Sequence, residues 1–176
     1  MTETSPPASL SDWLSAPPPS TEWVNQRLIP RSSKDEQSGK IQLNIARSWA
    51  RYKDLSAQGG QVYLSPACKT TTQGRCPDVA YLTAAQVTQF GTFSALPQSF
   101  PLIAEIVSAS ERAEPLYDKA REYFQSGGLE VWLVFPASRW IVTLTPQKQK
   151  LYGFQELIKT QQVLPGFCVA VADLLS

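Results

Sequence analysis

Three acidic side chains stand in stretches of sequence that otherwise read as apolar strands: Glu22, Asp78 and Glu105. Glu105 interrupts the apolar run 102–107, and Asp78 opens the run 78–82 directly after a proline. A short apolar run bounded by turn signals is typical of a strand that is buried on both faces. A charge is rarely buried there unless it is paired with another charge or coordinates a metal ion. These acids are therefore the first candidates for chemistry.

Two carboxylates on neighbouring strands would suit Mg²⁺, which commonly binds one or two carboxylates together with waters and phosphates. A bound Mg²⁺ lowers the pKa of its water and offsets charge on a phosphate oxygen, and a nearby lysine stabilises the developing anion. Lys119, in the segment that follows Glu105, is the candidate lysine. The alternative is structural: Asp78 and Glu105 would be edge or turn carboxylates that pair with Arg75 or Arg112.

The segment that carries Lys119 is a predicted helix over 111–124. Residues 108–110 interrupt the preceding strand, and a serine at the cap followed by acids in the first turn indicates a helix start. The apolar residues of the segment recur at i, i+1, i+4, i+7 and i+8, which is the period of one helical face. They are Leu116, Tyr117, Ala120, Tyr123 and Phe124. Lys119 lies beside this face, near the chain turn that follows Glu105.

The remaining patterns predict strands mixed with helices. Helices are expected at 9–16, from 39 to about 58, and at 83–87, with a hairpin or bent strand at 22–30 and polar loops at 32–37 and 91–99. Further strands are expected at 61–67, 78–82, 130–135, 140–144 and 148–153, and a strand or helical turn in the closing segment. This order predicts a mixed α/β (α+β) fold with a curved mixed β-sheet flanked by helices.

The composition limits the classes of protein that need consideration. The 176 residues predict a Pro/Ser-rich leader with a short helix over 1–20 and a single domain over 21–176. The leader lacks the order of a secretory signal and no apolar run approaches a membrane span, so we expect a cytoplasmic protein without membrane contact. Histidine is absent, which excludes Ser-His-Asp and Cys-His catalysis. The balance of 16 basic against 15 acidic residues argues against tight nonspecific DNA binding.

The cysteines and the tryptophans each allow a structural and a functional interpretation. The three cysteines show no metal-ligand spacing and are predicted to be free thiols, with a hairpin disulfide between the first two as the alternative: Cys68, Cys76 and Cys168. Three tryptophans could stack on nucleic-acid bases, but their apolar surroundings predict positions in the core: Trp49, Trp132 and Trp140.

A series of short motifs runs along almost the whole chain. They occupy residues 9–14, 21–28, 41–52, 76–82, 103–112, 119–123, 130–134 and 164–167. No single motif is specific, but in this order they resemble the Uma-two (Uma2) family of restriction-endonuclease-like proteins, a branch of the PD-(D/E)XK nuclease superfamily.

The resemblance implies a restriction-endonuclease-like core and a site of four residues. Asp78 and Glu105 would be the metal carboxylates, and Glu22 an additional acid. Lys119 would be the basic member, because Val107 stands where a strict Glu-x-Lys motif has its lysine. The resemblance also implies Mg²⁺ or Mn²⁺ as cofactor and DNA as substrate, with hydrolysis of the phosphodiester bond by a metal-activated water.

The chain departs from the family pattern beside this site rather than in it. Ser38-Gly39 stands where many relatives have a histidine, Ala109 replaces the proline of a Ser-Pro-Ser motif, and Asn25-Gln26 replaces an Asp-Gly turn. Together with the missing basic excess, these changes motivate a second hypothesis: a catalytically inactive nuclease-fold binding or assembly module. A third is a homodimer whose function lies at its interface, since related nucleases cut two strands by pairing two sites.

Overall fold

The structure is a computed structural model that describes residues 6–31, 35–108 and 112–176. Its helices are α1 (Leu10–Ser15), α2 (Glu36–Leu55), α3 (Ala84–Phe90), α4 (Ala113–Phe124) and α5 (Val171–Leu175). Its strands are β1 (Thr21–Val24), β2 (Arg27–Pro30), β3 (Gln61–Leu64), β4 (Ala67–Lys69), β5 (Gly74–Arg75), β6 (Val79–Leu82), β7 (Ala95–Leu96), β8 (Leu102–Ile106), β9 (Glu130–Phe135), β10 (Trp140–Leu144), β11 (Gln149–Gly153), β12 (Leu157–Lys159) and β13 (Cys168–Ala170).

The main sheet has six strands in the order β11-β10-β9-β8-β6-β3. Its neighbours are antiparallel except for β8 and β9, which run parallel and are connected through α4. Because successive side chains of a strand point to opposite faces, each central strand contributes to two apolar clusters. One cluster packs against α2 and α5, and the other packs against α4. The predicted mixed sheet flanked by helices is confirmed.

A second sheet, in the order β2-β1-β5-β4-β7, carries Glu22. Strands β1 and β2 form the predicted hairpin, and Asn25 (φ 50°) and Gln26 (φ 61°) are both left-handed, as a tight two-residue turn requires. Helix α1 packs against this sheet through Trp13, which is fully buried and donates its Nε1–H to Thr21 Oγ1 at 3.1 Å. The division of the chain at residue 20 stays a prediction.

Several boundaries differ from those predicted. Helix α2 begins at Glu36, inside the predicted loop 32–37, because the Asp35 side chain caps it by accepting the Ser38 N–H at 2.7 Å. The predicted strand 61–67 is confirmed only as far as Leu64. Ser65 is left-handed (φ 48°), and the chain leaves the main sheet there and enters the second sheet as β4. Strand β7 lies in the predicted loop 91–99. Predictions for residues 1–5, 32–34 and 109–111, including the departure at Ala109, lie outside the described residues.

The cysteines and tryptophans largely follow their structural interpretations. All three cysteines are free thiols, and the cross-strand neighbour of Cys68 is Arg75 rather than Cys76. Trp49 and Trp132 are fully buried and meet edge to face at 5.3 Å between ring centroids. The prediction for Trp140 is wrong, since it is the first residue of β10 and 39% of its surface is exposed. In the described part of the chain, none of the helices has the length and apolar character needed to cross a membrane.

Candidate active site

The register of two central strands brings Asp78 and Glu105 to one place. Strands β6 and β8 are antiparallel and pair Val79 with Ala104, so the next residues outward, Asp78 and Glu105, stand opposite each other. Alternation along the strands directs both side chains to the face that packs against α4. The backbone N–H of Ile106 donates to Asp78 Oδ2 at 2.7 Å and fixes that carboxylate beside β8. Both acids are buried, with 3% and 7% of their surfaces exposed.

Lys119 joins this pair to Glu22 of the second sheet. From α4, its Nζ lies 3.0 Å from Glu105 Oε1 and 3.0 Å from Glu22 Oε1. Burial lowers the pKa of Lys119, but the charges of Glu105 and Glu22 outweigh that effect and raise the pKa above its usual range. The ammonium therefore stays charged at neutral pH. All four residues singled out from the sequence are thus gathered between the two sheets and α4.

Glu22 is held ionised by three partners. Besides Lys119, its Oε2 pairs with Arg75 Nη1 at 3.1 Å, and its Oε1 accepts the backbone N–H of Cys76 at 3.0 Å. Burial alone raises the pKa of Glu22, but these three partners together outweigh it and lower the pKa to about 2. Burial also raises the pKa of the Cys76 thiol to about 11, so this cysteine is not a thiolate nucleophile at neutral pH.

The ionised form of Glu105 is less strongly stabilised than that of Glu22. Its Oε1 accepts the Tyr123 hydroxyl at 2.6 Å in addition to the Lys119 ammonium. Burial raises the pKa of Glu105, Lys119 opposes the rise, and the negative charges of Asp78 and Glu22 add to it. Burial and the neighbouring carboxylates also raise the pKa of Tyr123 well above its usual range, so the phenol remains a hydrogen-bond donor.

Two arginines complete the cluster. Arg75 donates to Glu122 of α4 through Nε at 2.8 Å and through Nη2 at 2.7 Å, and so links that helix to the second sheet and to Glu22. Arg31, directly after β2, pairs with Asp78 Oδ1 through Nη2 at 2.6 Å. Charge-assisted contacts are stronger than neutral hydrogen bonds, and the bidentate contact of Arg75 is also geometrically stricter.

Comparison with known proteins was decisive for the family. The model of the Uma2 family, described as "Putative restriction endonuclease", matches residues 7–172. The chain belongs to the Uma2 family. Among solved structures, one described as "a putative nuclease belonging to DUF820 from Anabaena variabilis ATCC 29413" is similar, with a TM-score of 0.82 and 14% identity. The likeness covers 96% of this chain and 98% of that one. No curated protein matches the chain.

These comparisons confirm the predicted family and the predicted restriction-endonuclease-like fold. Uma2 membership makes the chain a member of a nuclease family. The similar structure, at its low identity, speaks for the fold alone.

The carboxylates of this Uma2 protein fit a divalent cation that needs only one or two protein ligands. Mg²⁺ is satisfied by one or two carboxylates when water and phosphate complete its shell. Asp78 and Glu105 supply two. Both contacts that Glu105 makes with residues the structure describes go to Oε1, so Oε2 can serve another ligand. Within the described ranges, no cluster of three or more His, Cys, Asp or Glu residues is placed to hold a metal ion. A cation here would share its carboxylates with Arg31 and Lys119.

Sequence reasoning missed the partners of the acids. The alternative pairing was wrong in its assignments, because Asp78 pairs with Arg31 and Glu105 with Lys119, whereas Arg75 pairs with the other two acids of the cluster, Glu22 and Glu122. A signal did exist for two missed residues: Glu122 and Tyr123 lie three and four positions after Lys119, the spacings that share a helix face. No sequence signal pointed to Arg31.

Proposed function

We propose that the protein is a metal-dependent endonuclease that hydrolyses DNA phosphodiester bonds, with Asp78 and Glu105 as its metal carboxylates. The observation that carries the proposal is the pair itself: two buried carboxylates stand opposite each other on neighbouring strands. A lysine ammonium lies 3.0 Å from one of them. Buried carboxylates in a cluster of perturbed ionisable groups are a common mark of a catalytic site. Membership in a nuclease family supplies the reaction class.

Each residue has a role that follows from its surroundings. When bound, Mg²⁺ or Mn²⁺ would supply an activated water and offset the charge on a phosphate oxygen. Lys119 stabilises the negative charge that develops on the phosphate, because its ammonium is held in place by two carboxylates. Glu22, with its pKa of about 2, stays ionised and anchors Lys119, and it is the additional acid of the site. Tyr123 orients Glu105 by donating to Oε1.

A plasmid-nicking assay tests this proposal. The wild-type protein is incubated with supercoiled plasmid and Mg²⁺ or Mn²⁺, beside Glu105→Ala, Glu105→Gln and Asp78→Asn. Glu114→Gln is the matched control, because Glu114 is an exposed carboxylate of α4 outside the cluster. We expect nicking by the wild type and by the control, and loss of nicking in the other three. Undiminished nicking by Glu105→Gln or Asp78→Asn would refute the assignment of the site.

A second candidate is the catalytically inactive binding or assembly module. It is favoured by the same ion pairs, since Arg31 and Lys119 already neutralise the two carboxylates that a metal would need. Calorimetric titration with Mn²⁺ separates the two. Heat of binding in the wild type that is absent in Glu105→Gln supports the nuclease. No heat in either, with no nicking of plasmid, supports the module.

Two paired sites would let the protein cut both DNA strands in one encounter, and we propose a homodimer for that purpose. Light scattering on the purified protein, with and without a DNA duplex, measures the mass directly. A monomer under both conditions would contradict the homodimer.

A further inference from the structure

Arg31 sits at the boundary between the acid cluster and an open cleft. Its backbone N–H donates to the Ser20 carbonyl at 2.8 Å, which fixes the chain at the end of β2. Its Nη2 holds Asp78 Oδ1 at 2.6 Å, while Asp78 Oδ2 is held from the other side by the Ile106 N–H. Asp78 is therefore fixed by the backbone through one oxygen and occupied by Arg31 through the other.

The guanidinium has more donors than this contact uses. Arginine carries five N–H groups, and within the described part of the chain only Nη2 of Arg31 makes a side-chain hydrogen bond. The side chain lines a cleft of about 330 Å³, and the cleft walls also include Ser20, Ser65 and Ser94. These hydroxyls can donate as well, and none of the described residues that line the cleft is an aspartate or a glutamate. A cleft that presents a guanidinium and hydroxyls suits an acceptor-only anion, and the guanidinium fork matches phosphate in particular.

We propose that Arg31 exchanges between two partners, Asp78 in the free protein and a phosphate of the DNA backbone in the complex. Seating a phosphate in the cleft draws the guanidinium away from Asp78 Oδ1, and Arg31 then no longer competes with a divalent cation for that carboxylate. Arg31 thus binds substrate and guards the metal carboxylate. This inference rests on the proposed function for the identity of the anion and of the cation.

The exchange predicts positive coupling, in which bound DNA raises the affinity for metal and bound metal raises the affinity for DNA. Arg31 would leave Asp78 for the phosphate more readily when a cation is bound to that carboxylate, and Arg31 held by a phosphate would compete less with the cation for Asp78. Coupling of this kind is reciprocal, and its usual size is roughly 5-fold to 150-fold in affinity.

The decisive test is a double-mutant cycle on DNA binding without metal. Binding of a fluorescein-labelled DNA duplex is measured by anisotropy in a chelator-containing buffer, for wild type, Asp78→Asn, Arg31→Met and the double variant. We expect Asp78→Asn to tighten binding at least about 5-fold, because it weakens the hold on Arg31. Arg31→Met should weaken binding and reduce the salt dependence by about one phosphate contact. In the Arg31→Met background, Asp78→Asn should change the affinity by less than about 2-fold.

Equal tightening in both backgrounds would show that only the lost negative charge matters and would overturn the exchange. No tightening in the wild-type background would overturn it as well. Arg27→Met is the matched control, because Arg27 is an exposed arginine of the same hairpin. Thermal unfolding verifies that each variant is folded, and Arg31→Gln replaces Arg31→Met if the latter is not.

A Mn²⁺ titration separates this inference from the proposed function. In the absence of DNA, Arg31→Met should bind Mn²⁺ at least about 5-fold more tightly than wild type, and unchanged affinity would contradict the guarding role. If none of the proteins binds Mn²⁺ and plasmid is not nicked, the metal-dependent function fails. The DNA cycle then still decides whether Arg31 moves between Asp78 and a phosphate.

Discussion

Replacing Lys119 with methionine tests the electrostatics of the cluster directly. Methionine keeps the length and the apolar stem of the lysine but removes the charge that contacts Glu22 and Glu105 at 3.0 Å. Breaking a buried pair by removing one partner costs about 3–5 kcal/mol, because a buried charge is left without compensation. Glu22 keeps Arg75 and the Cys76 N–H, so the cost falls mainly on Glu105. We therefore expect a loss near the lower end, about 3 kcal/mol, at pH 8.

The loss should shrink as the pH falls. The pKa of Glu105 in the folded protein is already raised, and Lys119 is the strongest group that lowers it, so the variant raises this pKa further. A carboxyl group with a raised folded-state pKa favours the folded state at low pH, and that stability is lost as the pH rises from its usual pKa of 4.5 to the folded-state value. Within this window the slope is up to about 1.4 kcal/mol per pH unit. Relative to the wild type, the variant should therefore be less destabilised at pH 5.5 than at pH 8.

Urea unfolding at both pH values, in a chelator-containing buffer, measures the two quantities. Lys159→Met is the control, since Lys159 is exposed, and its effect should remain within about 0.5 kcal/mol. A destabilisation by Lys119→Met that equals the control, or one that is the same at pH 5.5 and pH 8, would refute the reasoning.

Three further substitutions probe the cluster, the second sheet and the loop that follows β12. Glu22→Gln should cost about 3 kcal/mol at pH 7, because a pKa shift from 4.5 to about 2 stabilises the fold above pH 4.5; urea unfolding should show this loss diminishing toward pH 2. Gly74→Ala should cost about 1–3 kcal/mol in urea unfolding, since its Cβ would lie 2.4 Å from Cε3 of the buried Trp13 ring. Glu130→Gln should cost about 2 kcal/mol and speed hydrogen exchange at residues 161–162, whose N–H groups donate to Glu130 Oε2 at 2.6 and 2.8 Å.

Each of these has an outcome that would contradict it. The prediction for Glu22→Gln would be contradicted if the loss of unfolding free energy were equal at pH 7 and pH 3. The prediction for Gly74→Ala would be contradicted if stability were unchanged, because the Trp13 ring would then have moved at no cost in free energy. For Glu130→Gln, unchanged exchange at residues 161–162 would mean that the carboxylate does not hold that loop.

The sequence was informative wherever one element alone determines the outcome. An acid inside an apolar run is visible without any tertiary information, and so Glu105 and Asp78 could be selected as candidates on neighbouring strands. The apolar stripe of α4 likewise placed Lys119 near the strand before it. The position of β4 could not be predicted, because the break at Ser65 sends a strand-like segment to another sheet. Strand β7 has two residues and exists through its parallel pairing with β4.

The partners of the acids were harder to predict for a general physical reason. A buried carboxylate in a strand requires compensation, so its presence predicts a cation nearby but not which one. Arg31 lies 47 positions before Asp78, and Arg75 lies 53 positions after Glu22. An arginine side chain is long enough to stand on an exposed strand end or loop and still place its guanidinium in the interior. A cation so placed can also turn toward solvent, which a lysine enclosed by two carboxylates cannot do as easily. For that reason Arg31, rather than Lys119, is the cation of the cluster that we expect substrate to recruit.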